Sequence, residues 1–375
     1  MESLLKEKNK RGQFATKGRK QYSVFDEERT SHSHAYQTVL RHSAIDLQFG
    51  QRTSHVVHSR NLVSELFLVV KLKTAASGNY AKNISLCLIK NLVARANGRE
   101  FMNIDYETCM YRVIHKLKDK PLRDEFVRLT GGAAALQPGD VVVWLPVFWS
   151  RLHRQGRRGR CWSNGTSASK LEFEFDMNSA ASCSAGDADN KIDSAEIWYE
   201  EVLVAPSLEN SITPANVSDM HLDYHVQLDV PIASGVQQEI QLAAALSSGH
   251  IKTMCFRERA TASAGVNKDL LAVSRPSYVR FKINGVETGI YDTATILDVE
   301  QLLQNFKYKE GETIPYIYSW GAHPEENYMS GHIPSSNNQF SVVYTPGVTG
   351  FLDIICEQPK VYTRAANNRL EKADT

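Results

Sequence analysis

Two short segments of this sequence, one with a pair of histidines and one with a cluster of aspartates, are the first candidates for binding a metal ion. His32 and His34 form a His-x-His pair, and Asp187, Asp189 and Asp193 form an acidic cluster in GDADNKID. A metal site inside a barrel would need further His or Glu ligands at suitable spacing, and none accompanies the histidine pair. The acidic cluster resembles the start of a calcium loop but lacks the glycine and the final glutamate that such a loop requires. We therefore interpret it as a solvated turn.

Arginines are concentrated in the segment RLHRQGRRGR, which runs from Arg151 to Arg160. Such a segment could bind phosphate, nucleic acid or an acidic partner surface, or it could be a solvated loop at the end of a domain. The sequence leaves both interpretations open. The segment has no aromatic residue that could stack on a base, which disfavours the binding of single-stranded nucleic acid.

Recognised catalytic motifs are absent from the sequence. It contains no G-x-S-x-G, no Walker loop, no G-x-G-x-x-G and no H-E-x-x-H. Glycosylation triplets begin at Asn83, Asn164 and Asn216, but the N-terminus has no apolar stretch long enough for a signal peptide, so we interpret the triplets as chance matches. We expect no catalytic residue, no cofactor site and no metal site, and hence a protein that is not an enzyme.

The overall composition favours a globular protein with free thiols. The chain has 375 residues, of which 42% are hydrophobic, which suits two or three domains with substantial cores. The formal net charge is +1, so any affinity for nucleic acid has to come from a local patch. The six cysteines are scattered and form no C-x-x-C pair, which indicates free thiols rather than a zinc site or a disulfide framework. The sequence has no run of about 18 apolar residues, so it predicts no membrane-spanning helix.

The first 35 residues differ from the rest of the chain. In its first 20 residues, seven basic side chains face only two acidic ones, and large apolar residues are sparse. We interpret residues 1–35 as a flexible basic arm. The alternative is a disordered terminus without a binding partner.

Period-two alternation of apolar and polar residues dominates from residue 43 onward, and it predicts strands with one buried face. It is clearest at residues 45–49, 66–72, 171–177 and 222–230. In the last of these we expect all the apolar side chains on the inner face of one strand, namely Leu222, Tyr224, Val226, Leu228 and Val230. Residues 141–149 are apolar throughout, which predicts a strand buried on both faces.

Helical periodicity occurs at only two places, residues 103–117 and 295–306. Asn103 and Thr295 are the predicted N-caps. Long strands with two short helices do not fit an α/β fold, in which strand and helix would alternate throughout.

The two helical segments have the same surroundings, which indicates an internal duplication. Each follows an alternating strand that ends in Asn-Gly, at Asn97 and at Asn284, and Asn-Gly is the strongest short hairpin signal. An aromatic segment follows each helix, at residues 144–149 and 316–320. The two copies are half the chain length apart, so one domain plan is used twice.

The sequence thus predicts an all-β protein made of two tandem eight-stranded jelly-roll barrels, each with one short helix inserted. The linker is expected where PSLENSITP interrupts the strands. The predicted units are the basic arm at 1–35, the first jelly roll at 36–205, the linker at 206–214, the second jelly roll at 215–362 and a C-terminal tail at 363–375.

Four stretches, in this order, resemble the double jelly-roll major capsid proteins of nucleocytoplasmic large DNA viruses and related smaller dsDNA viruses. The resemblance covers about residues 43 to 360, and its stretches are 49–63, 89–106, 145–149 and 318–331. The last contains Tyr-Ser-Trp, Pro-Glu-Glu and Ser-Gly, like the C-terminal signature of the family. The chain departs from the family at residues 332–336, where HIPSS stands in place of the frequent Asn-Phe-Ser.

This resemblance implies a structural subunit of an icosahedral viral capsid that assembles as homotrimers with a pseudo-hexameric outline. Its implied partners are further copies of itself in the trimer and in neighbouring capsomers, minor capsid or penton proteins, and an internal membrane or the genome through the basic arm. The implied location is the virion, after synthesis in the host cytoplasm or nucleus. The alternatives are a minor capsid paralogue, a non-catalytic jelly-roll protein that binds nucleic acid or a scaffold, and a cupin-like enzyme.

Overall fold

The structure is a computed structural model, and it describes most of the chain between residues 37 and 372. The described residues are 37–59, 62–73, 79–116, 120–132, 139–147, 149–150, 162–163, 170–184, 191–203, 218–243, 250–260, 270–291, 296, 299, 315–320, 333–334, 339–364 and 370–372.

The described residues of the first half form nine strands and four helices. The strands are β1 (Gln37–Ala44), β2 (Arg52–Val57), β3 (Leu62–Leu72), β4 (Ile89–Ala96), β5 (Arg99–Asp105), β6 (Asp140–Trp144), β7 (Trp162–Ser163), β8 (Leu171–Met177) and β9 (Ile192–Leu203). The helices are α1 (Ser85–Leu88), α2 (Tyr106–Lys116), α3 (Lys120–Leu129) and α4 (Ala180–Cys183). The strands form two antiparallel sheets, ordered β1-β9-β3-β6 and β2-β8-β4-β5, with β7 added to β3.

The second half repeats this arrangement. Its strands are β10 (Ser218–Ile232), β11 (Gln238–Gln241), β12 (His250–Ile251), β13 (Thr253–Ala260), β14 (Tyr278–Ile283), β15 (Val286–Tyr291), β16 (Tyr316–Ser319), β17 (Ile333–Pro334), β18 (Phe340–Thr345), β19 (Gly350–Arg364) and β20 (Leu370–Lys372). The two main sheets are β10-β19-β13-β16 and β11-β18-β14-β15, while β12 pairs with β17 and β20 with β19.

The two halves have identical strand order. If the eight main strands of each half are lettered B to I along the chain, both halves have one sheet ordered B-I-D-G and one ordered C-H-E-F. That order defines the jelly roll, in which strands from the two ends of the domain pair with each other. The structure therefore confirms two tandem jelly rolls, and the duplication inferred from the sequence corresponds to a repeated topology.

Alternation explains why the central strands form where they do. In β8, Leu171, Phe173, Phe175 and Met177 are buried, and the acidic residues between them reach the outer face. In β3, Leu66, Leu68 and Val70 point into the same core. Burial of one face in this way fixes the register of the strand, because a slip by one residue would turn every apolar side chain to the solvent.

The Asn-Gly turns lie at equivalent places, between β4 and β5 and between β14 and β15. Asn97 and Gly98 both have positive φ, and so do Asn284 and Gly285, as a two-residue type I′ hairpin requires. Both predicted hairpins are therefore confirmed.

The first predicted helix is present but shorter at its start. It begins at Tyr106, and Asp105 rather than Asn103 caps it, because the Asp105 carboxylate accepts a 3.0 Å hydrogen bond from the backbone N–H of Thr108. Asn103 lies in β5, where its side chain accepts a hydrogen bond from Asn91. The helix α3 follows α2, so the first barrel has more than the single inserted helix that we predicted.

The second predicted helix, at residues 295–306, lies outside the described residues except for Ile296 and Val299. Both are in helical conformation, and both are exposed.

Two predicted strands differ from the structure at their ends. Residues 45–49 follow β1 rather than forming a strand, although Ile45 and Leu47 are buried in the core as the alternation suggested. The strand predicted at 141–149 ends at Trp144. On one face of this strand Val141 and Val143 are fully buried, whereas Val142 and Trp144 on the other face are only partly buried, so the strand is not buried on both faces.

A bulge in β10 makes the predicted single inner face of residues 222–230 wrong. The pairing with β19 shifts between Gln227 and Val230, and Asp229 has a φ of 58°. Tyr224 and Val226 consequently pack toward the first barrel, Val230 packs into the second barrel, and Leu228 is 41% exposed. The bulge adds residues to one strand only and so reverses which face the following side chains occupy.

The unit boundaries predicted from the sequence fall mostly on residues that the structure does not describe. The arm at 1–35 and the linker at 206–214 lie outside the described residues, so that division stays a prediction. Strand β19 continues to Arg364, and β20 lies within the segment predicted as a C-terminal tail. None of the helices in the described part of the chain is long and apolar enough to cross a membrane.

Candidate functional site

Most of the residues singled out for chemistry lie outside the described part of the chain. This holds for His32, His34, the segment from Arg151 to Arg160, Asp187 and Asp189. Asp193 is exposed in β9. Within the described residues, no group of three or more His, Cys, Asp or Glu side chains is arranged to hold a metal ion.

Two of the glycosylation triplets, at Asn164 and Asn216, also lie outside the described residues. The third begins at Asn83, which is completely buried and hence out of reach of a modifying enzyme in the folded chain. Five of the six cysteines are described, and all five are buried free thiols, as predicted. Burial raises the pKa of the Cys356 thiol far above its usual range, which removes its nucleophilic thiolate form.

The functional feature that the structure does show is the junction between the two barrels. The outer face of the sheet β10-β19-β13-β16 lies against the first barrel, and its central residues Cys255, Ile317 and Ile355 belong to the same apolar core as the first barrel. These three residues lie side by side in one cross-strand row, each less than 3% exposed. The outer face of this sheet of the second barrel is therefore covered by the first barrel of the same chain.

Charged side chains of helix α2 meet charged side chains of the second barrel at this junction. The Arg112 guanidinium lies 2.8 Å from a carboxylate oxygen of Glu357 on β19, and their side chains are 1% and 0% exposed. A charge taken out of water to this extent is tolerated only beside a partner of opposite sign. The pair therefore joins one barrel to the other at a fixed place.

A second buried cation lies beside the first. Arg257 on β13 donates a 2.7 Å hydrogen bond to Glu107 on α2, and its guanidinium lies 4.8 Å from the centre of the Tyr111 ring. Burial alone would lower the pKa of Arg257, but the carboxylates of Glu107 and Asp353 outweigh burial and raise it. Tyr111 also donates a hydrogen bond to the carbonyl oxygen of Ala272 in the second barrel.

Asp353 connects this cluster to the bulge in β10. Arg259 donates two hydrogen bonds to the Asp353 carboxylate, at 2.7 and 2.8 Å, and a further one to Asp229. The same carboxylate accepts the backbone N–H of Asp229, the residue with positive φ. The bulge is therefore held in place by side chains that lie 30 and 124 residues further along the chain.

His115 lies at the far end of α2, with its ring edge-on to Tyr111 at 4.5 Å between centroids. Its Nε2 atom is buried. Burial, followed by the cations Arg112, Arg123 and Arg257, lowers the pKa of His115 to about 3. The ring is consequently neutral near pH 7.

Among the described residues, only helix α3 packs on the outer face of the B-I-D-G sheet of the first barrel. One cross-strand row on the outer face of that sheet consists of His42, Trp198, Phe67 and Trp144, which we call the aromatic row. His42 stacks on Trp198 at 4.5 Å, and Phe67 contacts both tryptophans. Phe126 of α3 packs on Trp144, while Trp198 and Phe67 stay partly exposed.

The junction can hold two barrels together, but its groups are not arranged for catalysis. Its carboxylates are paired with arginines and its polar groups are buried between the barrels, away from any substrate. Sequence reasoning missed these residues, since single Arg and Glu residues within amphipathic segments look like ordinary solvated positions. One available signal was that Arg257 directly follows the apolar run from Met254 to Phe256 in β13.

Comparison with known proteins agrees with the jelly-roll topology. No protein-family model and no curated protein matches the sequence. Among solved structures, PBCV-1 VP54, fitted into a reconstruction of the virophage Sputnik, superposes with a TM-score of 0.72 at 11% identity, covering 96% of this chain and 99% of that one. The PBCV-1 virus capsid gives 0.71 at 12% identity, covering 96% and 99%. The Faustovirus major capsid protein gives 0.63 at 10% identity, covering 96% and 98%.

This chain shares the fold of those capsid proteins. The double jelly roll extends over nearly the whole of both chains in each comparison, so neither barrel is an addition peculiar to this protein. At such low identity the likeness concerns the fold alone.

Proposed function

We propose that this chain is a major capsid protein of the double jelly-roll family, the structural subunit of an icosahedral viral capsid. One observation carries the proposal: two barrels of identical strand order are joined by a buried, charged junction within one chain. A chain of that kind presents two similar bodies in a fixed relation, which suits a building block better than an enzyme. The fold shared with viral capsid proteins over 96% of the chain supports the same role.

The assembly that we propose is a homotrimer with pseudo-hexameric outline. Three copies of a two-barrel chain around a threefold axis place six similar barrels in a ring, which can tile a surface. The net charge of +1 suits dense packing of many copies, because a large charge of one sign would oppose it. The proposed location is the virion, with minor capsid or penton proteins as further partners.

Light scattering coupled to size exclusion tests this proposal directly. The purified chain, of 42.1 kDa, is expected to elute at three chain masses, or to reach that mass when assembly conditions are applied. Negative-stain images should then show hexagonal particles. A single chain mass at every concentration and in every assembly condition contradicts the proposal and favours a monomeric binding module for nucleic acid or a scaffold. A minor capsid paralogue would form particles only together with another capsid protein.

For residues 1–35 we propose a role in assembly through the genome or an internal membrane, since basic residues predominate there. Deletion of residues 1–35 should leave the melting temperature nearly unchanged while impairing particle formation. Differential scanning calorimetry and electron microscopy measure the two effects separately. A large fall in melting temperature would show instead that the arm belongs to the folded core.

A further inference from the structure

Two buried cysteines of the first barrel lie side by side although they are 96 residues apart in the chain. Cys87 belongs to α1 and Cys183 ends α4, and these two short helices pack against each other. The Cys183 thiol donates a 3.1 Å hydrogen bond to the carbonyl oxygen of Cys87 itself. The Cys183 sulfur is therefore held against the backbone of residue 87, one short side chain away from the second thiol.

The backbone on each side of α4 is fixed to the backbone on each side of α1. Asn178, which precedes α4, donates its backbone N–H to the carbonyl oxygen of Leu88 at the end of α1. At the other end of α4, the carbonyl oxygen of Cys183 accepts the backbone N–H of Ala81, in the segment before α1. The two cysteines are thus held together by the folded chain, and a disulfide requires its two residues to be close in this way.

The hydrogen bonds around the two thiols allow them to lose their protons without leaving a buried acceptor unpaired. The Cys87 thiol donates to the carbonyl oxygen of Ile84, which also accepts the backbone N–H of Cys87. The Cys87 carbonyl oxygen accepts the side-chain amide of Asn178 at 2.8 Å in addition to the Cys183 thiol. Each carbonyl oxygen therefore keeps an N–H donor after oxidation, and the cost of an orphaned acceptor does not arise.

A second pair of cysteines shows that closeness in the fold is not sufficient. Cys255 and Cys356 lie on the neighbouring strands β13 and β19, but one belongs to the core of the first barrel and the other to the core of the second. Their side chains point to opposite faces of one sheet, so a disulfide cannot join them without movement of the backbone.

Helix α4 gives a reagent access to the first pair. Ala181 and Ser182 are exposed, and Cys183 is the buried residue of this four-residue helix. A single helical turn at the surface opens at little cost, because few apolar contacts hold it. Cys183 is consequently the thiol that a reagent meets first.

We infer that Cys87 and Cys183 form a redox modification site, which a small disulfide such as oxidised glutathione converts into a cystine bridge between α1 and α4. First, the Cys183 thiolate attacks one sulfur of the glutathione disulfide, whose S–S bond breaks, and the released glutathione takes up the proton of Cys183. Next, the Cys87 thiolate attacks the Cys183 sulfur and expels the second glutathione, which takes up the proton of Cys87. Two protein thiols are oxidised, and one glutathione disulfide is reduced to two glutathione thiols.

The bridge connects two segments at the same end of the first barrel, the one between strands D and E and the one between strands H and I. Because the joined residues are 96 positions apart, the bridge restricts the unfolded chain strongly and so stabilises the folded barrel. For a particle that leaves the cell, as the proposed function requires, the change from a reducing to an oxidising environment supplies the occasion. The barrel is then stabilised after folding and assembly are complete.

Oxidation of the folded, full-length chain with oxidised glutathione tests the inference. Peptide mapping without reductant is expected to find Cys87 linked to Cys183. The melting temperature should rise by roughly 5–10 °C and should return to its starting value after treatment with dithiothreitol. Cys183→Ala and Cys87→Ala should each show no such rise. Cys109→Ala is the matched control, because Cys109 is also a buried free thiol of the first barrel and its variant should oxidise like the wild type.

Each variant is compared with itself before and after oxidation, so that any packing lost with the thiol cancels. If one of the two alanine variants fails to fold, the other provides the same comparison. The inference is overturned by a folded wild-type chain in which Cys87 and Cys183 stay unlinked after prolonged exposure, by a bridge from either to another cysteine, or by a melting temperature that falls on linkage. Peptide mapping reads the bridge in a monomer or in a trimer, so failure of the proposed assembly remains a separate result, seen by light scattering.

Discussion

Asn97 and Asn284 show at the scale of single residues how closely one barrel copies the other. The side-chain oxygen of Asn97 accepts a 2.7 Å hydrogen bond from the Lys170 backbone N–H, and that of Asn284 accepts a 2.9 Å bond from Gln339. In each case the backbone N–H of the asparagine donates to the carbonyl oxygen of the same partner. Each turn is thereby tied to the residue that precedes the neighbouring strand H.

We expect Asn97→Ala to lower the free energy of unfolding by about 1–2 kcal/mol, because alanine loses the side-chain acceptor and is strained at positive φ. Asn97→Asp keeps an acceptor and tolerates this backbone region, so it is the matched control and should change stability much less. Urea denaturation of both variants measures the difference. Equal stability of the Ala and Asp variants would show that the turn does not depend on this side chain.

His115 gives the fold a pH dependence whose direction is fixed by its pKa. The pKa is lowered to about 3 in the folded chain, while the unfolded chain retains a value near 6.5. The unfolded state therefore binds one more proton between these values, and the stabilisation present above pH 6.5 is lost as the pH falls toward 3.

Replacement of His115 with Phe should flatten this dependence, by up to about 1.4 kcal/mol per pH unit in that range. Urea titrations at several pH values between 7 and 4 measure it. Some dependence will remain, because burial and then His58 lower the pKa of His55 as well. An unchanged slope in His115→Phe would show that His115 is solvated.

At the scale of elements, the bulge in β10 decides which side chains the two cores receive. Val226 lies before the bulge and packs toward the first barrel, and Leu228 lies within it and is exposed. Asp229 adopts its positive φ where Arg259 and Asp353 bond to it. The change in which face of β10 is buried therefore depends on Arg259 of β13 and Asp353 of β19.

Val226→Asp should destabilise the chain by about 2–4 kcal/mol, because it places an unpaired carboxylate against the junction. Leu228→Asp, two residues away on the same strand, is the matched control and should change stability by less than about 0.5 kcal/mol. Chemical denaturation of the two variants provides the comparison. If both are tolerated equally, Val226 does not pack against the first barrel.

The parts of the fold that were predictable from sequence are those with local causes. Strands β3 and β8 follow from alternation, and the two Asn-Gly hairpins follow from the backbone freedom of those residues. The bulge could not be predicted, since its cause is the distant Asp353 carboxylate. The junction was missed for the same reason: nothing near Arg112 in the sequence indicates that Glu357 lies beside it.

At the scale of the whole molecule, the junction determines whether the two barrels behave as one unit. Arg112→Met should lower stability by about 3–5 kcal/mol, because Glu357 would remain as an uncompensated buried charge. The double variant Arg112→Met/Glu357→Leu should recover most of this loss, since it removes both charges and keeps apolar volume. Calorimetry is the appropriate measurement, and the single variant is expected to broaden or split the unfolding transition. A double variant as unstable as the single one would show that the pair itself, rather than an orphaned charge, accounts for the loss.

The buried junction also has a mechanical consequence for the closed shell that we propose. Arg112 with Glu357, and Arg257 with Glu107, cross between the barrels at two separate points and resist bending of one barrel against the other. Each subunit is therefore stiff, and a shell made of such subunits cannot bend through them. Its curvature has to arise at the seams where subunits or their rings meet, so the radius of the particle is set by those seams and by the proteins that occupy them.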